Sequence, residues 1–295
     1  PVEVQCVPDT EFSTLRLPNP EEVDALKMAI EQAKACGADL VIATDPDADR
    51  MGTAIRNAEG EYVPLTGNQI GCLLLNNRLR DLKAQDKLQK DDFIVKSIVT
   101  TQLAKSMADA YGVKLYNVLT GFKYIGEKIE QYGQEHQFIF GFEESYGYLS
   151  GGYVRDKDAV DGSMLICQMA VYYKRKGMTL VDALEALYQQ HGYFLNKVLT
   201  FTFEGESGMI KMRNIMDHLR NNSLKSFAGY DVIGTSDYLT SKRVDGTTES
   251  EIHLPKSNVL EFRLAEGNKL IVRPSGTEPK IKVYLSGKGK TRADG

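Results

Sequence analysis

The sequence predicts an α/β protein: α/β domains on mixed or parallel sheets, followed by a smaller α+β domain at the C-terminal end. Two observations carry this. From Gly67 to about Gly192, helical periodicities alternate with short apolar runs, the pattern of helices packed on a largely parallel sheet. After Gly192 the candidate strands instead group around one or two helices.

In chain order, Val2 to Val7 reads as a strand-like run. A helix is expected from about Asn19, where Asn19 can cap, Pro20 suits the first helical position, and Glu21 and Glu22 favour the positive end of the dipole. Val23, Leu26, Ile30 and Ala33 supply its apolar stripe, and Gly37 is a natural stop. Asp39 to Thr44 is a buried strand, and Gly52 to Leu65 a hairpin turning at Ala58-Glu59-Gly60. Helices near 67–84, 101–111 and 122–132 then interleave with strands at Phe93–Val99, Val113–Leu119 and Phe138–Phe142, and two more helices lie near 161–176 and 179–190. Beyond Gly192, Phe194–Phe203 is a strand and Ser207–Asn222 a helix, with later strands at Val259–Leu264, Lys269–Val272 and Ile281–Leu285. Thr235 to Ser250 reads as an exposed polar loop.

Composition narrows the function. A formal net charge of −4 argues against a nucleic-acid-binding surface, though not against a local anion site. Cys6, Cys36, Cys72 and Cys167 form no CxxC pair, which disfavours a zinc site and fits a reducing compartment. No run of 18 apolar residues and no apolar leader occur, so neither a membrane span nor a secreted protein is expected and the expected location is cytoplasmic. The chain opens at Pro1 rather than Met and is expected to be a piece of a longer protein. His136, His191, His218 and His253 show no paired metal spacing, and Gly289-Lys290-Thr291 lacks the earlier glycine of a phosphate loop, Tyr284 standing in its place.

Three loops carry chemistry. In the first, Asp45-Pro46-Asp47-Ala48-Asp49-Arg50, alternate carboxylates follow a buried strand and repel one another unless a cation joins them, as Mg²⁺ would with its preference for hard oxygen ligands. A solvated acidic turn is the plainer alternative, and an EF-hand fits poorly because Arg50 occupies the glycine position and Arg56 that of the terminal Glu. In the second, Gly141-Phe142-Glu143-Glu144-Ser145-Tyr146-Gly147-Tyr148, two acids and a hydroxyl suit a sugar, against the alternative of a turn with a charged tip. In the third, Arg273-Pro274-Ser275-Gly276-Thr277-Glu278-Pro279-Lys280, a guanidinium with hydroxyl and backbone donors suits a phosphate, against that of a polar turn between strands.

These three loops, with Thr120-Gly121-Phe122-Lys123-Tyr124-Ile125-Gly126, resemble signature loops of the α-D-phosphohexomutase superfamily in that family's order, most closely the bacterial phosphoglucomutase/phosphomannomutase type. The resemblance covers nearly the whole chain. It implies that Asp45, Asp47 and Asp49 hold Mg²⁺, with Arg50 supporting the reacting phosphate. Glu143 and Ser145 would grip sugar hydroxyls near Thr120 and Gly121, while Arg273, Ser275, Gly276 and Thr277 hold the phosphate that is not transferred. Arg155 and Lys157 resemble basic residues facing the substrate, Lys157 being the candidate proton acceptor.

The resemblance further implies part of a second domain over residues 1–65, a third over 66–192 and a fourth over 193–295. The implied reaction interconverts hexose 1- and 6-phosphates, glucose before mannose, through a phosphoserine and a hexose 1,6-bisphosphate. The family's Ser-His-Asn-Pro stretch does not occur here, so the chain alone is expected to bind metal, to hold glucose phosphates with lowered affinity because the cleft between four domains cannot assemble, and to show no turnover, and its uncovered edges favour self-association. The competing readings are an aspartyl-phosphate phosphatase or mutase using Asp45 or Asp47 as nucleophile, and a non-catalytic phosphosugar-binding module.

Overall fold

The computed structural model describes residues 1–222, 224–276 and 278–291, and they form two compact units, Pro1–His191 and Gly192–Gly295. In the first unit, Val2–Val7 is no strand: it holds a single tight turn at Glu3–Gln5, with Val4 and Val7 exposed. β-propensity in so short a run builds nothing without a neighbour to complete its ladder.

The first helix, α1 (Val23–Cys36), starts later than its cap signals suggest. Asn19 Oδ1 accepts the Glu21 amide at 3.0 Å in a preceding turn, and Glu22 takes the N-cap position. Its end is where Gly37 requires it, at φ 68°, a left-handed conformation that costs glycine little. Strands β1 (Leu40–Thr44), β2 (Met51–Arg56) and β3 (Tyr62–Pro64) make an antiparallel sheet in that order. α1 covers it through Leu26 and Ala33 packed on Val41 and Ala54.

A capping box at Thr66 and Gln69 opens α2 (Gly67–Ala84). It is followed by β4 (Phe93–Ser97), α3 (Leu103–Tyr111), β5 (Lys114–Val118), α4 (Phe122–Tyr132), β6 (Phe138–Phe142) and β7 (Tyr148–Leu149). The sheet order is β5-β4-β6-β7, parallel across its first three strands and antiparallel at β7. Both β4 and β6 are buried at every position, as strands covered on two faces must be. Phe93, Val95, Phe138 and Leu149 pack with Phe122, Ile125 and Ile129 of α4. Helices α5 (Ala159–Arg175), capped by Asp158, and α6 (Leu180–His191) complete the unit, and Lys174 of α5 pairs with Asp39 beside β1 at 2.6 Å.

Among its described residues the second unit is an antiparallel sheet with one α-helix. Strands β8 (Tyr193–Thr202), β9 (Ser226–Phe227), β10 (Tyr230–Asp237), β11 (Lys242–Asp245), β12 (Thr248–Glu251), β13 (Leu260–Leu264), β14 (Lys269–Pro274) and β15 (Lys280–Gly289) run in the order β12-β11-β10-β13-β14-β15-β8, with β9 on β10. α7 (Gly205–Asn221) buries Met212 and Met216 against Leu260, Phe262, Leu270 and Val272. The expected loop at Thr235–Ser250 is instead a meander of β10, β11 and β12. Every residue of β12 is exposed, so no apolar alternation marks the strand; the Gly246-Thr247 turn with Gly246 at φ 60° marks the hairpin.

No helix among the described residues is long and apolar enough to cross a membrane.

Candidate functional site

The acidic loop lies between β1 and β2, and Asp45 organises it. Asp45 Oδ1 accepts the amides of Asp49 at 3.0 Å and Arg50 at 2.9 Å, and Ala48 donates to the Asp45 carbonyl at 3.0 Å. This winding forces Ala48 to φ 56°, an uncommon value for a residue with a Cβ. One oxygen from each of Asp45, Asp47 and Asp49 then falls within 4.8 Å of the others. Burial pushes the Asp45 carboxyl above the usual carboxylate range, and repulsion from Asp49 and Asp47 adds to the rise, against the lowering effect of the Arg50 amide. Three hard oxygen donors held together against their own repulsion fit a divalent cation such as Mg²⁺ or Mn²⁺. Arg50 lies alongside, its Nε 3.8 Å from Asp45 and 3.9 Å from Asp49.

The β6–β7 loop is stitched to this one by backbone. Arg50 bridges Gly147 in antiparallel fashion, and the Met51 amide donates to the Tyr146 carbonyl at 3.1 Å. Tyr146 takes φ 68°, a second left-handed residue where the two loops meet. Lys157 arrives from the segment leading into α5. Its ammonium pairs with Asp49 and lies 3.5 Å from Asp156, and its stem lies so close over Gly147 that a Cβ there would meet Lys157 Cδ at 2.6 Å. Burial works against the Lys157 ammonium, but the Asp49 hydrogen bond and the charges of Asp156 and Asp49 hold its pKa above the ordinary value. The Ala159 amide donates to the Ala48 carbonyl at 3.1 Å, tying the start of α5 to the acidic loop as well.

Glu143 is 5% exposed, and its Oε1 accepts the Gly121 amide at 2.8 Å. That contact joins the β6–β7 loop to the Thr120-Gly121 turn, where Gly121 at φ 124° caps α4. Thr120, Gly121 and Ser145 are half-buried. Arg155 is drawn elsewhere: its Nε and Nη2 donate to Glu130 of α4 at 3.1 and 2.9 Å, and its Nη1 to the Gly152 carbonyl at 2.6 Å. The pattern of motifs missed one cluster altogether. Glu144 Oε2 accepts from Ser97 Oγ at 3.2 Å and Thr100 Oγ1 at 3.3 Å, and the fully buried Lys96 donates to the Thr100 carbonyl at 3.0 Å. A lysine and hydroxyls inside the apolar run Ile94–Thr101 were the available signal.

In the second unit, Arg273, Ser275 and Gly276 lie at the β14–β15 turn; Thr277 lies outside the described residues. Ser275 donates its amide to the Lys280 carbonyl at 2.8 Å, and its Oγ accepts the Glu278 amide at 3.3 Å. A Cβ at Gly276 would meet nothing within 4 Å, so its backbone is open to a ligand. Arg273 is half-buried and stands directly opposite Lys282 across the strands. No described carboxylate pairs with Arg273, which leaves two cations side by side on one face.

Three family models match: phosphoglucomutase/phosphomannomutase α/β/α domain II over residues 1–60, α/β/α domain III over 66–191, and the C-terminal domain over 239–294. A phosphoglucomutase of Staphylococcus aureus (strain MRSA252) is 45% identical over 287 residues, 97% of this chain and 51% of its own length. One from Staphylococcus epidermidis (strain RP62A) is 44% identical over 97% of this chain and 52% of its own length. The chain thus spans about half the length of the curated relatives it matches. Among solved structures, the open form of parafusin, a Paramecium phosphoglucomutase, shares the fold at a TM-score of 0.67 and 17% identity, covering 98% of this chain and 48% of its own. A putative phosphomannomutase of Thermus thermophilus does so at 0.61 and 17%, covering 92% and 47%. With domain models II, III and IV matched in order and curated relatives aligned along 97% of its residues, the chain belongs to the phosphoglucomutase/phosphomannomutase family of the α-D-phosphohexomutase superfamily.

Proposed function

We propose that this chain supplies the metal-, sugar- and phosphate-binding loops of a phosphohexomutase that interconverts hexose 1-phosphate and hexose 6-phosphate, with glucose the preferred sugar and mannose the second. The observation that carries the reading is the joining of the acidic and sugar loops by the Arg50–Gly147 bridge and by Lys157, which spans from Asp49 to Gly147. Family membership and the phosphoglucomutase names of the curated relatives support the same reaction class.

Asp45, Asp47 and Asp49 would hold Mg²⁺, which supplies charge neutralisation on the phosphoryl group in transfer. Arg50, already beside two of those carboxylates, is placed to meet the same group's oxygens. Glu143, beside the Gly121 turn, accepts from a sugar hydroxyl, and Ser145, two residues on, exchanges hydrogen bonds with one. Lys157 stands as an ammonium paired with Asp49; it acts as the proton acceptor only after Asp49 is engaged elsewhere and the ammonium has released its own proton to water, leaving a neutral amine to take the proton of a sugar hydroxyl. Arg273, Ser275 and Gly276 hold the phosphate that stays. The reaction proceeds through a phosphoserine and a hexose 1,6-bisphosphate; the Ser-His-Asn-Pro stretch of that carrier is absent from these 295 residues, which alone bind without turnover.

Calorimetry with Mn²⁺, then with glucose 6-phosphate and mannose 6-phosphate, tests the reading alongside a coupled assay from glucose 1-phosphate primed with glucose 1,6-bisphosphate. Metal-dependent sugar phosphate binding without turnover is expected. Failure to bind either sugar phosphate would overturn it.

A further inference from the structure

The β6–β7 loop carries two adjacent glutamates, and they do different things. Glu143 meets the Gly121 amide at the candidate sugar site. Glu144 instead sends Oε2 between the hydroxyls of Ser97 and Thr100, at 3.2 and 3.3 Å, and these two hydroxyls lie 2.7 Å apart.

That receiving group is itself built. Ser97 and Thr100 are fully buried at the carboxyl end of β4, where the Thr100 amide donates to the Ser97 carbonyl at 3.1 Å. Lys96, with no solvent exposure, donates from its ammonium to the carbonyls of Ser97 and Thr100 at 3.3 and 3.0 Å. A buried ammonium is costly unless well satisfied, and this one clamps the turn that presents both hydroxyls. The Glu144 backbone is confined too: a Cβ on Gly67 would meet the Glu144 carbonyl oxygen at 2.1 Å, so only a glycine at the head of α2 lets the loop sit there.

We propose that Glu144 is the positioning residue of the sugar loop, its carboxylate locked on Ser97 and Thr100 over the buried Lys96 so that Glu143 and Ser145 on either side are held in register with Gly121 and with the acidic loop. The proposal rests on the reading of this loop as the sugar site. Three hydrogen bonds report the register: Gly121 amide to Glu143 Oε1, Glu143 amide to the Gly147 carbonyl, and Met51 amide to the Tyr146 carbonyl. A charge-assisted bond through a buried hydroxyl is substantial, so its loss lets the loop wander while the strands beneath stay intact.

The test is amide hydrogen exchange on the whole chain for Thr100→Val, Ser97→Ala, Glu144→Ala and Glu144→Gln, with Mn²⁺ and glucose 6-phosphate affinities measured beside it. Thr100→Val keeps side-chain volume and the carbonyl that Lys96 holds, so it addresses the hydroxyl with least risk to folding. Exchange at Gly121, Glu143 and Met51 should quicken about tenfold in Thr100→Val and Glu144→Ala, the loss of roughly one such bond. Val95 and Phe140 in the central strands should be unchanged, and Mn²⁺ affinity should stay within about twofold, since the acidic loop keeps its own hydrogen bonds. Glu144→Gln retains an acceptor for the hydroxyls and should restore most of the protection. Unchanged exchange at the three reporter amides in Thr100→Val would overturn the proposal, as would equal acceleration at Val95 and Phe140. Weakened glucose 6-phosphate binding with unaltered exchange would make Glu144 a direct ligand instead. If the unmutated chain binds no sugar phosphate, the sugar-site reading fails, while the exchange data still decide whether Glu144 orders the loop.

Discussion

Lys157 and Asp49, brought from either side of the second sheet's sequence, form an ion pair inside the acidic loop, with the lysine side chain only 16% exposed. The ammonium therefore occupies part of the field that a divalent cation would use. Replacing it by an uncharged residue of similar length leaves three carboxylates with less compensation.

Lys157→Met should accordingly bind Mn²⁺ more tightly than the unmutated chain. An ion pair of this exposure contributes roughly 0.5–1 kcal/mol, so the gain should be about two- to fivefold. Calorimetric titration at fixed ionic strength reads it directly. A weaker metal affinity would mean that Lys157 shapes the loop rather than competing for it.

Asp45 offers a separable case, because one of its oxygens is a structural acceptor while its charge is a liability. Asp45→Asn keeps an oxygen for the Asp49 and Arg50 amides and removes the repulsion from Asp49 and Asp47. A carboxyl with a raised folded pKa leaves the fold most stable when protonated and less so as pH rises through that pKa. In chelator, the variant should melt above the unmutated chain at neutral pH, and the difference should vanish below about pH 4, where Asp45 is protonated in both folded and unfolded states. Mn²⁺ affinity should fall more than tenfold for want of one charged ligand. Equal melting temperatures at neutral pH would show that the repulsion is relieved in some other way.

Much of this site is visible in the residues because its loops follow strands whose apolar runs are local signals. Asp39–Thr44 and Phe138–Phe142 mark the two strands, and the acidic and glycine-flanked stretches come directly after them. The helix at Phe122–Tyr132 and the stop at Gly37 are local in the same sense. What stayed hidden is non-local. Glu144 finds its partners on another strand, and no spacing links it to Ser97 and Thr100. Arg155 follows the same rule, its guanidinium captured by Glu130 of α4, far off in sequence. β12 escaped for a different reason: both its faces meet water, so pairing with β11 rather than burial defines it.

Gly121 is a backbone requirement. Its nearest neighbour to an added Cβ is 3.8 Å away, so Gly121→Ala meets no steric block, yet φ 124° with ψ 121° is a conformation that side chains avoid. The strain should cost about 1–3 kcal/mol, measured by denaturant melting. Relaxation would move the amide off Glu143, so glucose 6-phosphate affinity should fall while Mn²⁺ affinity holds. A variant as stable as the unmutated chain would show that the turn has a second accessible conformation.

Tyr148 tests the opposite sign. Its ring is wholly buried among Met51 and Gly162, and its hydroxyl has no hydrogen-bond partner among the described residues. An unsatisfied buried hydroxyl is a net cost, so Tyr148→Phe should raise stability, by up to about 1 kcal/mol. Differential scanning calorimetry measures the change. A clear loss of stability would place a bound water on the hydroxyl.

Arg273 decides how the second unit meets an anion. It faces Lys282 directly across β14 and β15, and like charges so placed repel. Lys280, by contrast, is already neutralised by its ion pair with Glu278. Beside the Arg273–Lys282 pair lie the Ser275 hydroxyl and the open backbone of Gly276. A phosphate there would satisfy the guanidinium in forked geometry and relieve the repulsion, a contribution of about 1.5–3 kcal/mol. Arg273→Gln, which removes one of the two cations, should therefore melt at or slightly above the unmutated chain in phosphate-free buffer. Adding inorganic phosphate or glucose 6-phosphate should raise the melting temperature of the unmutated chain and leave that of the variant almost unmoved. Arg273→Lys should fall between them, since an ammonium keeps the charge but not the fork. A large drop in melting temperature for Arg273→Gln without any anion would mark the guanidinium as part of the fold's own framework, and equal protection of all three proteins would place the anion elsewhere.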